Sequence, residues 1–511
     1  MPTTRSKRPA PTPPSSTRHT RPRTTVPTLT SLPYHILRQI FLHTVPSPPS
    51  PPTSPHALLK LAQSHPNLTA PCLNVLYHTP LLEPPSRAFD LLALLRTRPD
   101  VAHLIRVLVI PVYPLLERKI PHLGFFPFTE FLKLCTGLKE VWITQAADWP
   151  PYRTPTYAVT TRWSFTEELL EAVSPRRLVA WNWDQTFLDI LDFDGLEKAH
   201  RLPCFQSLAR LRFSRFRAAI AGKARPPKNT CHDFALNAAR IIGLLPHLTS
   251  LELSHSLAIN DTFLRALSET HLRLRSLTLM NLNDSTLLGD GIIAEILTTP
   301  LCHQLEELEI LHCRATNLAF LQCLPKGLTR LRYDGLYFST SSITTVATVP
   351  LYDELFPFFV GPGISIPDTE EEDQNDNDND DDANDTHTPS LLWPPKLHNL
   401  TLLNLRKWST HSAGSLLRSL TSRANSDLSL DRLELHVILD GSSWRERAAF
   451  RDRWEERLVK RFAETGKVLV RVDAQRPGEV QFDEGSFMKG GSVLGKAVDD
   501  YEEEEDEDYE E

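Results

Sequence analysis

A six-residue pattern, L-x-x-L-x-L with tolerant substitutions, recurs ten times between residues 104 and 435. It starts at Leu104, Leu138, Leu178, Leu208, Leu248, Leu274, Leu305, Leu328, Leu397 and Leu430. Successive starts lie mostly 23 to 40 residues apart, the exception being the step from 328 to 397. The three spaced apolar positions suit a short strand with one buried face, and helical periodicity follows, as in "DTFLRALSE" (261–269) and "GDGIIAEIL" (289–297). A single strand–helix unit of that size cannot bury its own apolar face. Stacked units can, and the result is a solenoid: a curved parallel sheet with helical returns.

Strand side chains alternate, so the third, fifth and seventh positions of each copy point away from the core. Along the array these are Glu140/Trp142/Thr144, Ala180/Asn182/Asp184, Arg210/Arg212/Ser214, Ser250/Glu252/Ser254, Ser276/Thr278/Met280, Glu307/Glu309/Leu311 and Arg330/Arg332/Asp334. The sign changes from patch to patch. A phosphate backbone calls for uniform positive charge, so a protein partner suits this mosaic better than nucleic acid. Read the same way, the first copy exposes Arg106, Leu108 and Ile110. Two aliphatic side chains there call for a cover, either the helix around Leu73–Leu76 or "LLALL" at 91–95.

The array resembles leucine-rich repeats in degenerate form. In the copy at 305, Cys313 fills the repeat's Asn/Cys position, where other copies place Phe216, Ser256, Leu282, Leu336 and Leu405. Ahead of it, "TSLPYHILRQIFLHT" (30–44) reads as one helix with two adjacent apolar rows, Leu32/Ile36/Ile40 and Pro33/Leu37/Phe41. "SPHALLKLAQSH" (54–65) reads as a second helix, and Ala70–Tyr77 as a third. Leu32-Pro33, Ile36-Leu37, Ile40-Phe41, Leu58-Leu59 and Leu76-Tyr77 resemble the F-box pattern, with a longer Pro-rich loop at 46–55 and "SHPN" (64–67) in place of Cys-Lys-x-Trp.

That order of modules is similar to the F-box/leucine-rich-repeat family, particularly its divergent fungal members. The resemblance implies a non-catalytic substrate receptor of a cullin–RING ubiquitin ligase. Leu32, Pro33, Ile36, Leu37, Ile40, Phe41, Leu58 and Leu59 would bind a Skp-type adaptor, and through it a cullin. Trp142, Arg210, Arg212, Glu252, Glu307, Glu309, Arg330 and Arg332 would hold the protein substrate. The rival reading is a repeat scaffold with no ligase role.

Charge sets the boundaries. No acid precedes Glu83, whereas 368–385 and 499–511 each carry eleven acids and no Lys or Arg. Set those 22 acids aside and the net charge of −8 becomes +14, of which six belong to residues 1–28. The expected organisation is a disordered basic tail (1–28), a helical module (29–82), repeats (83–367), a disordered acidic insert (368–390), repeats with a cap (391–475) and a disordered acidic tail (476–511). The seven cysteines show no C-x-x-C spacing and favour a reducing compartment, cytoplasm or nucleus. The most apolar run, "HLIRVLVIPVYPLL" (103–116), contains Arg106 and two prolines, so no membrane span is expected.

No catalytic signature is present: HExxH, GxSxG, GxGxxG and Walker-type loops are all missing. Cys302-His303 and His312-Cys313 have metal-ligand chemistry, but Cys313 already has a turn role. "DNDNDDDANDTH" (376–387) lacks the glycine and the final glutamate of a calcium loop. No metal or cofactor is expected.

Overall fold

The structure, a computed structural model, describes residues 29–45, 56–149, 163–188, 193–216, 228–255, 261–282, 292–313, 318–335, 391–422, 425–439, 442–462 and 467–474. The basic tail, the Pro-rich loop, the acidic insert and the acidic tail lie outside them.

Three α-helices come first among the described residues: α1 (Tyr34–Leu42), α2 (His56–Ser64) and α3 (Pro66–His78). Pro33 supplies a fixed φ just before α1, and its carbonyl accepts from Ile36 and Leu37. The third helix starts four residues earlier than the sequence suggests. His65 Nδ1 accepts from the Asn67 N–H (3.1 Å), and Pro66 stands at the first helical position, where no N–H is needed. Both α1 and α2 pack on α3 around Leu37, Phe41, Ala62, Leu68, Cys72 and Val75. Arg38 Nε donates to Asn74 Oδ1 (2.6 Å), tying α1 to α3.

Among the described residues, the remainder forms one eleven-stranded sheet in sequential order with its helical returns, every neighbouring pair of strands parallel. Its strands are β1 (Val107–Pro111), β2 (Glu140–Thr144), β3 (Ala180–Asp184), β4 (Arg210–Ser214), β5 (Ser250–Ser254), β6 (Ser276–Met280), β7 (Glu307–Leu311), β8 (Arg330–Asp334), β9 (Asn399–Trp408), β10 (Arg432–Leu439) and β11 (Lys467–Ala474). The returns are α4 (Ser86–Thr97) and α5 (Pro99–Ala102) ahead of β1, then α6 (Phe128–Leu134), α7 (Glu167–Val173), α8 (Phe193–His200), α9 (Pro203–Gln206), α10 (Lys228–Gly243), α11 (Asp261–Ser268) and α12 (Ile292–Leu297), with α13 (Thr410–Thr421) and α14 (Trp444–Phe462) near the end. This is the α/β solenoid that the repeat pattern implies. Leu211, Leu251, Leu277, Leu308, Leu331, Leu400 and Leu433 stand in one unbroken row across seven strands.

The first strand departs from the reading by one residue. Leu108 pairs with Val141 and Ile110 with Ile143, both core positions. Leu108 and Ile110 are therefore buried core, and the outward pair is Val107 and Val109. These pack with Trp142 and Ala180 on the opposite face of the sheet. In "LIRVLVI" both registers satisfy an apolar template, so only pairing with β2 selects one. Leu91, Leu92 and Leu95 of α4 do cover this end of the array, sharing its core with Leu108 and Ile110. Leu73 is exposed and takes no part.

The residue after each middle strand adopts a left-handed conformation: Arg215 (φ 60°), His255 (54°), Asn281 (50°) and His312 (55°), with Asn404 (57°) inside β9. Each of the first four donates its N–H to the last carbonyl of the next strand, at 2.9–3.0 Å, and Gly335 does the same toward Leu403. The turn adds one more rung to the ladder. That explains the His and Asn at this position, since both are enriched at positive φ. Gly335 is required instead by close approach, because a Cβ there would lie 2.8 Å from the Asn404 carbonyl oxygen. Cys313, one residue beyond His312, points its thiol at the Leu311 and Leu279 carbonyls (3.3 and 3.4 Å). Burial pushes that thiol up to about 12, in keeping with a structural rather than reactive cysteine.

Gly137, between α6 and β2, is required by close approach. A Cβ there would collide with the carbonyl oxygens of His103 and Ile105. Gly137→Ala is expected to cost about 1–3 kcal/mol through forced backbone displacement. An unchanged thermal midpoint would show that the contact relaxes freely.

Candidate functional site

Two surfaces carry the sequence-derived candidates. On α1 the two apolar rows part company. Leu37 and Phe41 turn inward and are 1% and 2% exposed. Helical periodicity then forces Ile36 and Ile40, four residues apart, to the outside, where they are 40% and 39% exposed. Pro33 is exposed as well, and Leu59 of α2 is 37% exposed. Leu32 and Leu58 lie half-buried against the module core. The eight proposed adaptor residues thus divide into outer ones (Pro33, Ile36, Ile40, Leu59), rim ones (Leu32, Leu58) and inner ones. Leu37 and Phe41 are corrected from contact residues to core, because α3 already occupies the face they would offer.

The second surface is the sheet face away from the main core. Burial here falls along the array. Trp142 and Arg212 are buried (5% and 1% exposed), Arg210, Glu252, Glu309 and Arg332 are half-buried, and Glu307 and Arg330 are exposed. Trp142 and Arg212 are therefore corrected from substrate contacts to internal groups, Trp142 by packing and Arg212 by ion pairing. Much of the charge mosaic is answered from within. Arg210 reaches Glu140 at 2.5 Å and lies 5.9 Å over the Trp142 ring, and Arg330 pairs with Glu309 at 3.0 Å.

Between β2 and β5 the pairing becomes a buried network. Arg215 bridges Asp148 (2.7 Å) and Asp184. Arg212 pairs with Glu252 (2.9 Å) and lies 3.6 Å from Asp148. Asp184 also accepts from Gln145 Nε2 (2.8 Å) and from the Thr186 N–H and hydroxyl (3.0 and 2.7 Å). Burial alone would raise the Asp148 carboxyl, but Arg212 and Arg215 overcome it and hold the group at about 2. Burial raises Glu252 against the pull of Arg212. These residues were missed as a group because the partners come from separate repeats. The only hint in the sequence was the run of polar residues at outward positions.

Ladder hydrogen bonding between β2 and β3 stops after two residue pairs. The Asn182 amide takes over, with Oδ1 accepting from the Ile143 N–H (2.5 Å) and Nδ2 donating to its carbonyl (2.7 Å). Asn182 is thereby spent on the fold. Among the described residues, no group of three or more His, Cys, Asp or Glu is placed to hold a metal, and no helix is long and apolar enough to cross a membrane.

No family model matches the sequence, and no curated protein matches it. Among solved structures, one titled "Crystal structure of Rad7 and Elc1 complex in yeast" aligns at 12% identity, covering 78% of this chain and 89% of that chain, with a TM-score of 0.27. A likeness at that score carries no conclusion about what this chain binds.

Proposed function

We propose that this chain is a non-catalytic substrate receptor of a cullin–RING ubiquitin ligase. In this reading the helical module engages a Skp-type adaptor and the solenoid engages a protein substrate. The observation that carries it is the outward pair Ile36/Ile40 on a helix whose other row is already satisfied. A small module with its own core that still exposes two aliphatic residues, beside Pro33 and Leu59, has the character of an interface rather than of a solvated surface. On the array, the charges still accessible at Arg210, Glu307, Glu309, Arg330 and Arg332 are the substrate candidates that remain, Glu252 being held by the buried Arg212.

The test is co-purification with a Skp-type adaptor. The Ile36→Asp/Ile40→Asp double variant is expected to abolish the complex while leaving the thermal midpoint of the chain unchanged, because the new charges stay in water until an apolar partner covers them. If the wild-type chain captures no adaptor, the repeat-scaffold reading without ligase function replaces this one.

A further inference from the structure

Where the helical module meets the array there is a cleft of about 290 Å³, lined by Tyr34, Arg38, Asn74, His103, Leu104 and Arg106. Two walls of different origin make it. Tyr34, Arg38 and Asn74 come from α1 and α3, whereas His103, Leu104 and Arg106 come from the segment between α5 and β1. The second wall is fixed in place. The Arg106 N–H donates to the His78 carbonyl (3.0 Å), its Nη1 donates to the Gly137 carbonyl (2.9 Å), and Gly137 lies directly against the backbone of His103 and Ile105.

Among the described residues, the lining includes Arg38 and Arg106 and no Asp or Glu. Asp100, the nearby acid, is taken by Arg98 in a two-pronged pair at 2.8 and 2.6 Å. A guanidinium has five donors. Arg38 spends Nε on Asn74 and Arg106 spends Nη1 on Gly137, so most of their donors are left for a ligand. Both arginines also bear on His78. Burial chiefly, and these two guanidinium groups with it, hold that imidazole down at about 4, so it stays neutral at physiological pH and adds no charge of its own.

We propose that this cleft binds a phosphomonoester, its phosphate held between the Arg38 and Arg106 guanidinium groups. Planar guanidinium groups match the oxygens of a phosphate in two-pronged pairs better than any other side chain. The Tyr34 hydroxyl and the Asn74 amide add neutral polar groups to the same lining. The volume exceeds what a bare phosphate fills and lies just under the ~300 Å³ lower end of small-molecule sites, which suits a phosphate with a short organic part. Because the two walls belong to separately cored parts of the chain, an occupant would clamp the module onto the array.

The full-length chain is titrated calorimetrically with inorganic phosphate, O-phosphoserine and serine in chloride buffer of matched ionic strength. Saturable binding of phosphate and tighter binding of O-phosphoserine are expected, with none of serine. Arg38→Gln and Arg106→Gln are each expected to weaken binding about tenfold or more, as loss of a charge-assisted pair implies. Tyr34→Phe, at an exposed position, keeps the wild-type melting temperature and weakens binding a few-fold, so the result does not depend on the folding of the arginine variants. Absence of saturable phosphate binding would overturn the proposal, and so would binding that survives both arginine substitutions. A synthetic 499–511 peptide that binds where phosphate does not would assign the cleft to carboxylates and overturn it too.

Discussion

Arg215→Leu is expected to destabilise the array by about 3–5 kcal/mol, the usual cost of leaving a buried ion without its counter-charge. Asp148 and Asp184 have side chains only 2% exposed, and Arg215 is the group that neutralises both. Without it, Asp184 keeps the neutral donors of Gln145 and Thr186 and, among the described residues, no cation within ion-pairing distance. Asp148 keeps the Gln145 N–H at 3.1 Å and the longer approach of Arg212 at 3.6 Å. Adding Asp184→Asn to Arg215→Leu should recover part of the loss, since the stranded charge goes with it. Denaturant unfolding of the single and double variants checks this. A loss below about 1 kcal/mol for the single variant would mean that water reaches the carboxylates and that the network is not closed.

That network marks the limit of what was legible in the sequence. The spacing of Leu208, Leu211 and Phe213, and of its counterparts in the other copies, gives ten strands and, for all but the first, their inward faces, because burial on one side of a strand leaves a period-two trace. The same trace says nothing about what an outward side chain meets. Arg212 and Arg330 both stand at outward positions, the fifth and the third of their copies, yet one is sealed among Glu252, Asp148 and Ser254 and the other is open. The difference comes from turns and strands far away in the chain, Asp148 after β2 and Glu252 on β5. The eleventh strand, "KVLVRVDA", escaped because it alternates Val468, Val470 and Val472 without the leading leucine of the pattern. On α1 the two apolar rows were legible, but which of them faces inward depends on where α3 lies. That is why Leu37 and Phe41 looked equivalent to Ile36 and Ile40.

The folded chain is also expected to lose stability as pH falls from 6.5 to 4, with His200 as a principal cause. Its ring is fully buried beside Trp183, whose indole N–H donates to Nε2 at 2.9 Å. The ring proton therefore sits on Nδ1 and is given to the Ile241 carbonyl at 2.8 Å. Both nitrogens are satisfied in the neutral form, and a proton added at Nε2 would face the indole N–H. Burial, only partly offset by the Ile241 carbonyl, lowers the group from 6.5 to about 4. A depressed histidine stabilises the fold above its unfolded value, because the unfolded chain takes up the proton first. That contribution is whole above pH 6.5, shrinks as pH falls, and is gone once pH passes below about 4. A shift of this size corresponds to roughly 3 kcal/mol over the window. His78, also lowered to about 4, acts in the same range, but it is less buried and contributes less. Asp148 titrates lower, so its contribution persists to near pH 4 and fades toward 2. The measurement is the thermal midpoint between pH 7.5 and 4.5 for the wild-type chain and for His200→Gln. The variant starts less stable, having lost a well-matched pair of hydrogen bonds, and its midpoint should fall less steeply with acid. Parallel slopes would show that the His200 ring is protonated inside the fold without penalty, and the account of its burial would be wrong.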